Sequence, residues 1–104
     1  MNKCLFCKIS IGEIPSKQEH RDDRCVVFHD IYPKARIHLL IVPHKHISTI
    51  MDMEAEDEAL IGHMTRVARD VASDLGLEGY KLQYNVGKKG GQEVMHVHMH
   101  LLGD

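Results

Sequence analysis

Apolar and polar residues alternate most strictly near the end of the chain, over Val94-Met95-His96-Val97-His98-Met99-His100-Leu101-Leu102. A period of two predicts an extended strand, in which residues i, i+2 and i+4 share a face. His96, His98 and His100 then point one way. Val97, Met99 and Leu101 point the other, towards a core. A helical period runs through residues 54–75, where Leu60, Met64, Val67, Ala68, Val71 and Leu75 form one apolar stripe. Asp52 reads as its N-cap, and Glu54, Glu56, Asp57 and Glu58 suit the positive end of the helix dipole. Gly76 reads as the C′ residue that stops it.

Shorter apolar runs fill in the rest. Cys25 to His29 predicts a strand, after a turn over Arg21 to Arg24. Ile37 to Val42 is the most apolar run and predicts a central strand, with His38 at its start and Pro43 closing it. Tyr80 to Val86 predicts a further strand with Asn85 at its end, followed by a loop over Gly87 to Gly91. Near the start, Ile9, Ile11 and Ile14 with the breakers Gly12 and Pro15 predict a short helical turn and a bend. The order of elements predicts an α+β domain, an antiparallel sheet covered by one long helix.

At 104 residues the chain reads as a single domain over 1–104. A domain of this size buries roughly 60–65% of its unfolded surface, so pairing with a second copy would help it. A formal charge of −2, no Trp and few aromatics give neither a basic footprint nor a stacking platform, so nucleic acid is not an expected partner. The longest apolar run, Leu39 to Val42, is too short for a bilayer, and Met1 to Cys4 shows no signal-peptide hydrophobic region. A cytoplasmic protein without a membrane partner is expected. Three cysteines, an odd count, argue against a secreted disulfide framework.

Histidine changes this plain picture. Nine are present, six of them in or beside two apolar segments. Three imidazoles on one strand face each need a hydrogen-bond partner or a ligand. They could form a solvated face, a structural metal site or a reactive site. Lys88-Lys89-Gly90-Gly91-Gln92-Glu93 leads directly into them, and such a loop brings backbone N–H groups close to an anion. Histidine beside an anion cradle points to chemistry on phosphate. Cys4-x-x-Cys7 is weaker: a redox pair, half of a zinc site, or two buried apolar thiols.

The chain resembles the histidine triad (HIT) family, and within it the Hint branch. The motif His-φ-His-φ-His-φ-φ, with φ apolar, stands here as His96-Val97-His98-Met99-His100-Leu101-Leu102. The resemblance extends through Gly90-Gly91-Gln92, Asn85, Phe28 to Pro33, Ile41 to Ile47, Phe6 to Ile9 and Glu13 to Pro15, nearly the whole chain. It implies a sheet of about five strands with one long and one short N-terminal helix, assembled as a homodimer. It also implies hydrolysis or transfer at the α-phosphate of purine nucleoside 5′-monophosphate derivatives, phosphoramidates and acyl-adenylates among them. By this resemblance His98 attacks phosphorus and forms a nucleotidyl-histidine, and His100 hydrogen-bonds the phosphate. Asn85 and the stretch Gly91, Gln92, Glu93 and Val94 stabilise charge, while His38 supports the cluster. Asp30 accepts from the ribose, and Phe6, Ile9, Ile14, Phe28 and Ile31 line the base pocket. Structural zinc is implied on Cys4, Cys7, His46 and His96, with no organic cofactor. Dinucleoside polyphosphate hydrolysis, or a zinc- and nucleotide-binding interaction protein, are the competing readings.

Two departures stand out. Glu93 replaces a Ser of some relatives, and a carboxylate cannot donate a hydrogen bond unless protonated. The sequence reaches only Gly103-Asp104, where many relatives carry a tail that shapes leaving-group choice.

Overall fold

The strand Ile37–Pro43 (β3) is buried along nearly all its length because both of its faces are covered. Leu39 and Ile41 face one apolar layer with Cys25, Val27, Met64, Val67, Ala68, Val71, Met99 and Leu101. Leu40 and Val42 face a second layer with Phe6, Ile9, Val26 and Phe28. A strand covered on both sides reads as a continuous apolar run rather than an alternating one. The structure, a computed structural model, describes residues 4–104. Around β3 stand a helix Leu5–Ser10 (α1), strands Gln18–Arg21 (β1) and Cys25–His29 (β2), a helix Glu58–Asp74 (α2), and strands Lys81–Gln83 (β4) and Met99–Gly103 (β5). The sheet order is β1-β2-β3-β5-β4, and every pairing is antiparallel. The expected α+β architecture is present: five antiparallel strands, one long helix and one short helix.

Several boundaries differ from the sequence expectation. The histidine strand begins only at Met99. Upstream, His96 N–H donates to the Val94 carbonyl and Val97 N–H to the Ile47 carbonyl, so neither is given to β3. The β3 ladder reaches Ile41 opposite Met99. Two residues further on stands Pro43, which has no N–H to offer a neighbour. The period of two nevertheless holds: Val97, Met99 and Leu101 enter the α2 layer, and His96 and His98 pack against Phe6 on the opposite face.

The long helix starts at Glu58. Asp52 is not its N-cap. It closes a separate turn with Thr49, whose N–H and hydroxyl both donate to the Asp52 carboxylate. A second such turn follows, with Asp57 accepting from the Glu54 N–H. Leu75 lies partly exposed past the helix end, and Ala72 takes its place in the buried stripe. Gly76 stops α2 as expected, at φ +73°. Its N–H bonds the Ser73 carbonyl and the Leu77 N–H bonds that of Ala72, the paired closure of a Schellman motif.

β1 has no apolar pattern and was not legible; it is a polar edge strand formed by pairing with β2. β4 is shorter than the expected strand over Tyr80 to Val86, and all three of its residues are exposed. Among the described residues no helix is long and apolar enough to cross a membrane.

Candidate active site

β2, β3, β5 and β4 present one residue each in register across the sheet: Phe28, Leu40, His100 and Gln83. All four line a cavity of about 690 Å³ on the face that α1 covers. Phe6, Ile9, Ile14 and Phe28 give it an apolar wall, with Ile31 exposed at its mouth. His38, His98, His100, Asp30 and Asn85 also line it, as do Gly91, Glu93 and Val94. The structure therefore gathers these sequence-derived site residues around one space. Gln92 is the exception. Its buried carboxamide accepts from the Gly87 N–H and donates to the carbonyls of Ser48 and Val94. It braces the glycine loop from behind. Within that loop Gly91 takes φ +90°, where only glycine sits without strain.

Main-chain groups dictate where the imidazole protons lie. A carbonyl oxygen can only accept, so His98 Nδ1, 2.7 Å from the His96 carbonyl, must carry a hydrogen. His98 Nε2 then keeps its lone pair. His38 Nδ1 accepts from the Lys34 N–H at 3.0 Å, so the proton of neutral His38 is on Nε2. That Nε2–H faces His100 Nδ1 at 2.9 Å, with Asp30 Oδ2 further off at 3.5 Å. His100 therefore accepts at Nδ1 and carries its own proton on Nε2. That Nε2 is buried and has no hydrogen-bond partner among the described residues. The chain of contacts ends in an unused donor beside a nucleophilic nitrogen.

The electrostatics keep these rings neutral. Burial pushes the pKa of His98 below the ordinary histidine value. Burial, followed by the neighbouring His98 and His38, pushes His100 down to about 4. Burial lowers His38 as well, against the pull of Asp30. His98 stands edge-on to Phe6, with ring centroids 4.9 Å apart.

A second cluster lies behind the first. Cys4 Sγ is 3.3 Å from His96 Nδ1, and Cys7 Sγ is 3.3 Å from His46 Nδ1 and 3.4 Å from His96 Nδ1. The two imidazole nitrogens are 3.1 Å apart, and all four donor atoms lie within 4.8 Å of one another. Tetrahedral coordination with bonds of 2.0–2.3 Å separates its ligands by roughly 3.3–3.8 Å. His96 Nε2–H donates to the Pro43 carbonyl at 2.8 Å, which leaves Nδ1 with its lone pair directed at the thiols. These four residues fit a tetrahedral metal ion.

Two other groupings are less suited. Asp30, His38 and His100 lie close enough to share an ion. His38 Nε2, however, carries the proton and has no lone pair to give. His20, Asp22 and Cys25 also converge. There Asp22 already accepts from His20 and His63, and burial pushes the Cys25 thiol up to about 12, far from thiolate.

Sequence reasoning missed Leu40, Gln83, Leu102 and the N–H of Lys34 as parts of the site. Their roles depend on strand register and loop closure, which a single sequence does not display.

Comparison with known proteins places this geometry. A family model described as "Scavenger mRNA decapping enzyme C-term binding" matches residues 3–104. A purine nucleoside phosphoramidase of Escherichia coli strain K12 is 46% identical over 101 residues, covering 95% of this chain and 85% of its own. Protein HitA of Neisseria gonorrhoeae is 40% identical over 104 residues, covering 99% of this chain and 97% of its own. The crystal structure of a HIT family hydrolase from Legionella pneumophila Philadelphia 1 superimposes with a TM-score of 0.95 at 48% identity, covering 97% of this chain and 92% of that one.

Proposed function

Because the chain belongs to the histidine triad (HIT) family of hydrolases, we propose that it hydrolyses purine nucleoside 5′-phosphoramidates, and related acyl-adenylates, through a nucleotidyl-histidine. One observation carries the reading: the His96 carbonyl fixes the proton of His98 on Nδ1, so Nε2 is an available nucleophile in a cavity with an apolar wall.

The steps follow from the proton positions. His98 Nε2 forms a bond to the α-phosphorus, and the bond to the leaving group breaks. The leaving group departs with the bonding pair and takes a proton from water. Water then attacks phosphorus, and the phosphorus–Nε2 bond breaks with its pair returning to the ring. The second water's surplus proton goes to solvent, so His98 is regenerated and one water is consumed overall. The unused His100 Nε2–H donates to a non-bridging phosphate oxygen. His38 holds that donor in place by occupying His100 Nδ1. Asn85 and the backbone of residues 91–94 add donors for developing charge. Asp30 receives the ribose hydroxyls, and Phe6, Ile9, Ile14, Phe28 and Ile31 enclose the base.

Turnover of adenosine 5′-phosphoramidate to AMP, well above that of diadenosine polyphosphate, is the expected result in a steady-state assay. The reverse preference would move the protein to the other hydrolytic class.

A structural zinc on Cys4, Cys7, His46 and His96 is part of the same proposal, supported by the donor set and by the free lone pair of His96 Nδ1. It would tie α1, and with it Phe6, to the segment that holds the nucleophile. No organic cofactor is needed, because the imidazole supplies the nucleophile.

Homodimerisation is proposed as well. β4 is an edge strand without cover, and Leu75, Tyr80 and Leu82 are exposed around it. The nearby Tyr84 hydroxyl is buried without a partner among the described residues. An isologous contact between two β4 edges would cover this surface. Light scattering at micromolar concentration is expected to give twice the chain mass; a monomer with full activity would refute it.

A further inference from the structure

The row Phe28, Leu40, His100 and Gln83 crosses four strands, each about 4.8 Å from the next, and so runs roughly 14 Å. Its first end is apolar. Its middle holds the reactive histidines. Its last member, Gln83, stands on the edge strand. With the base on the apolar end and phosphorus at the histidines, the Gln83 end is left for the leaving group.

That end is rich in acceptors. Gln83 Nε2 donates to Asn85 Oδ1 at 2.9 Å, which commits the Asn85 oxygen and leaves Asn85 Nδ2 free to donate. Gln83 Oε1 makes no hydrogen bond among the described residues. Glu93 lies two residues beyond Gly91, where a Cβ would come within 3.7 Å of the Asn85 carboxamide nitrogen. Glu93 lines the cavity, acts electrostatically on His98 and forms no ion pair among the described residues, with Lys88 beside it in a neighbouring surface hollow. The cation Lys17 stands at the opposite edge, next to the Gln18 that pairs with Phe28. Lys34 belongs to the loop that leads into β3.

We propose that Gln83 and Glu93 form the leaving-group subsite, and that it selects amine leaving groups bearing a further N–H donor or a positive charge. This rests on the phosphoramidase reading above. The carboxamide oxygen accepts from the departing nitrogen's own N–H, and the carboxylate attracts a cation further along. Anionic leaving groups are disfavoured by the same carboxylate.

The test uses two AMP phosphoramidates of equal length, one made from a diamine with a terminal ammonium and one from a simple alkylamine. Wild-type enzyme is expected to favour the diamine compound by roughly three- to fivefold in kcat/KM, since Glu93 is exposed and a solvent-exposed charge pair is worth at most about that factor. Glu93→Gln should bring the ratio close to one. Gln83→Leu should lower kcat/KM for both compounds several-fold, with AMP affinity held within about twofold as evidence of an intact fold. Gln83→Glu, which keeps an acceptor, should restore turnover of the diamine compound. A ratio near one in the wild type, or a ratio unchanged by Glu93→Gln together with wild-type rates in Gln83→Leu, overturns the subsite. If neither compound is turned over, the reaction itself is wrong and the subsite falls with it.

Discussion

His98→Ala is expected to lower the turnover of adenosine 5′-phosphoramidate by at least ~10³-fold, while AMP affinity stays within about tenfold. Only this ring is asked to make a covalent bond, and the base wall and the His100 donor survive its removal. Binding measured by calorimetry separates lost chemistry from lost folding. A rate near that of the wild type would end the nucleotidyl-histidine mechanism. The pH dependence follows from the same residue. Burial holds His98 neutral below the ordinary histidine pKa, so the acid limb of kcat/KM should lie below pH 6.5 rather than at it. Stability has the same sign. His38, His98 and His100 have lower pKa values folded than unfolded, so the unfolded chain binds more protons in mild acid. Their contribution is complete above about pH 6.5 and declines as the pH falls towards the folded values, which for His100 is about 4.

Removing metal with a strong chelator is expected to lower the melting temperature by roughly 10–20 °C. A ligand held at a hundredfold excess over its dissociation constant stabilises by about 2.7 kcal/mol. In a domain of about 100 residues each kcal/mol moves the midpoint by about 4–8 °C. Elemental analysis of protein purified without chelator should give about one zinc per chain. Cys7→Ser should lose the metal and reproduce the lower midpoint. The catalytic effect should be smaller and fall mainly on KM, because Phe6 sits between Cys4 and Cys7 and packs on both Phe28 and His98. Metal-free protein from such a preparation, with a midpoint indifferent to chelator, would remove zinc from the description.

How far the sequence reached can be judged residue by residue. The period of two around His98 correctly separated the side chains that enter the α2 layer from those on the opposite face, although regular pairing starts only at Met99. Side-chain alternation depends on an extended backbone, whereas a ladder also needs a partner with an N–H to give, and Pro43 has none. The helix stripe was legible because Met64, Val67, Ala68 and Val71 all face the sheet. Its start was not, because the acidic run from Asp52 serves two short capped turns before α2 begins. β1 could not be read, since its polar residues are strand only through their pairing with β2. The gathering of Phe6, Asp30, His38 and Asn85 around His98 was available only through family resemblance. The part of Gln83 needed the register itself.

The proton positions in the site have a common origin. The His96 carbonyl sets His98, the Lys34 N–H sets His38, and the Pro43 carbonyl sets His96. All three controlling groups belong to the main chain, which every residue type carries, apart from the N–H that proline would lack at position 34. The tautomers are thus insulated from mutation at the residues that enforce them. Lys34 can drift to another side chain, and even the loss of the His96 ring leaves its carbonyl in place to hold the nucleophile. Reactivity at this centre is inherited with the backbone path, so sequences that diverge widely around these histidines can still protonate them identically.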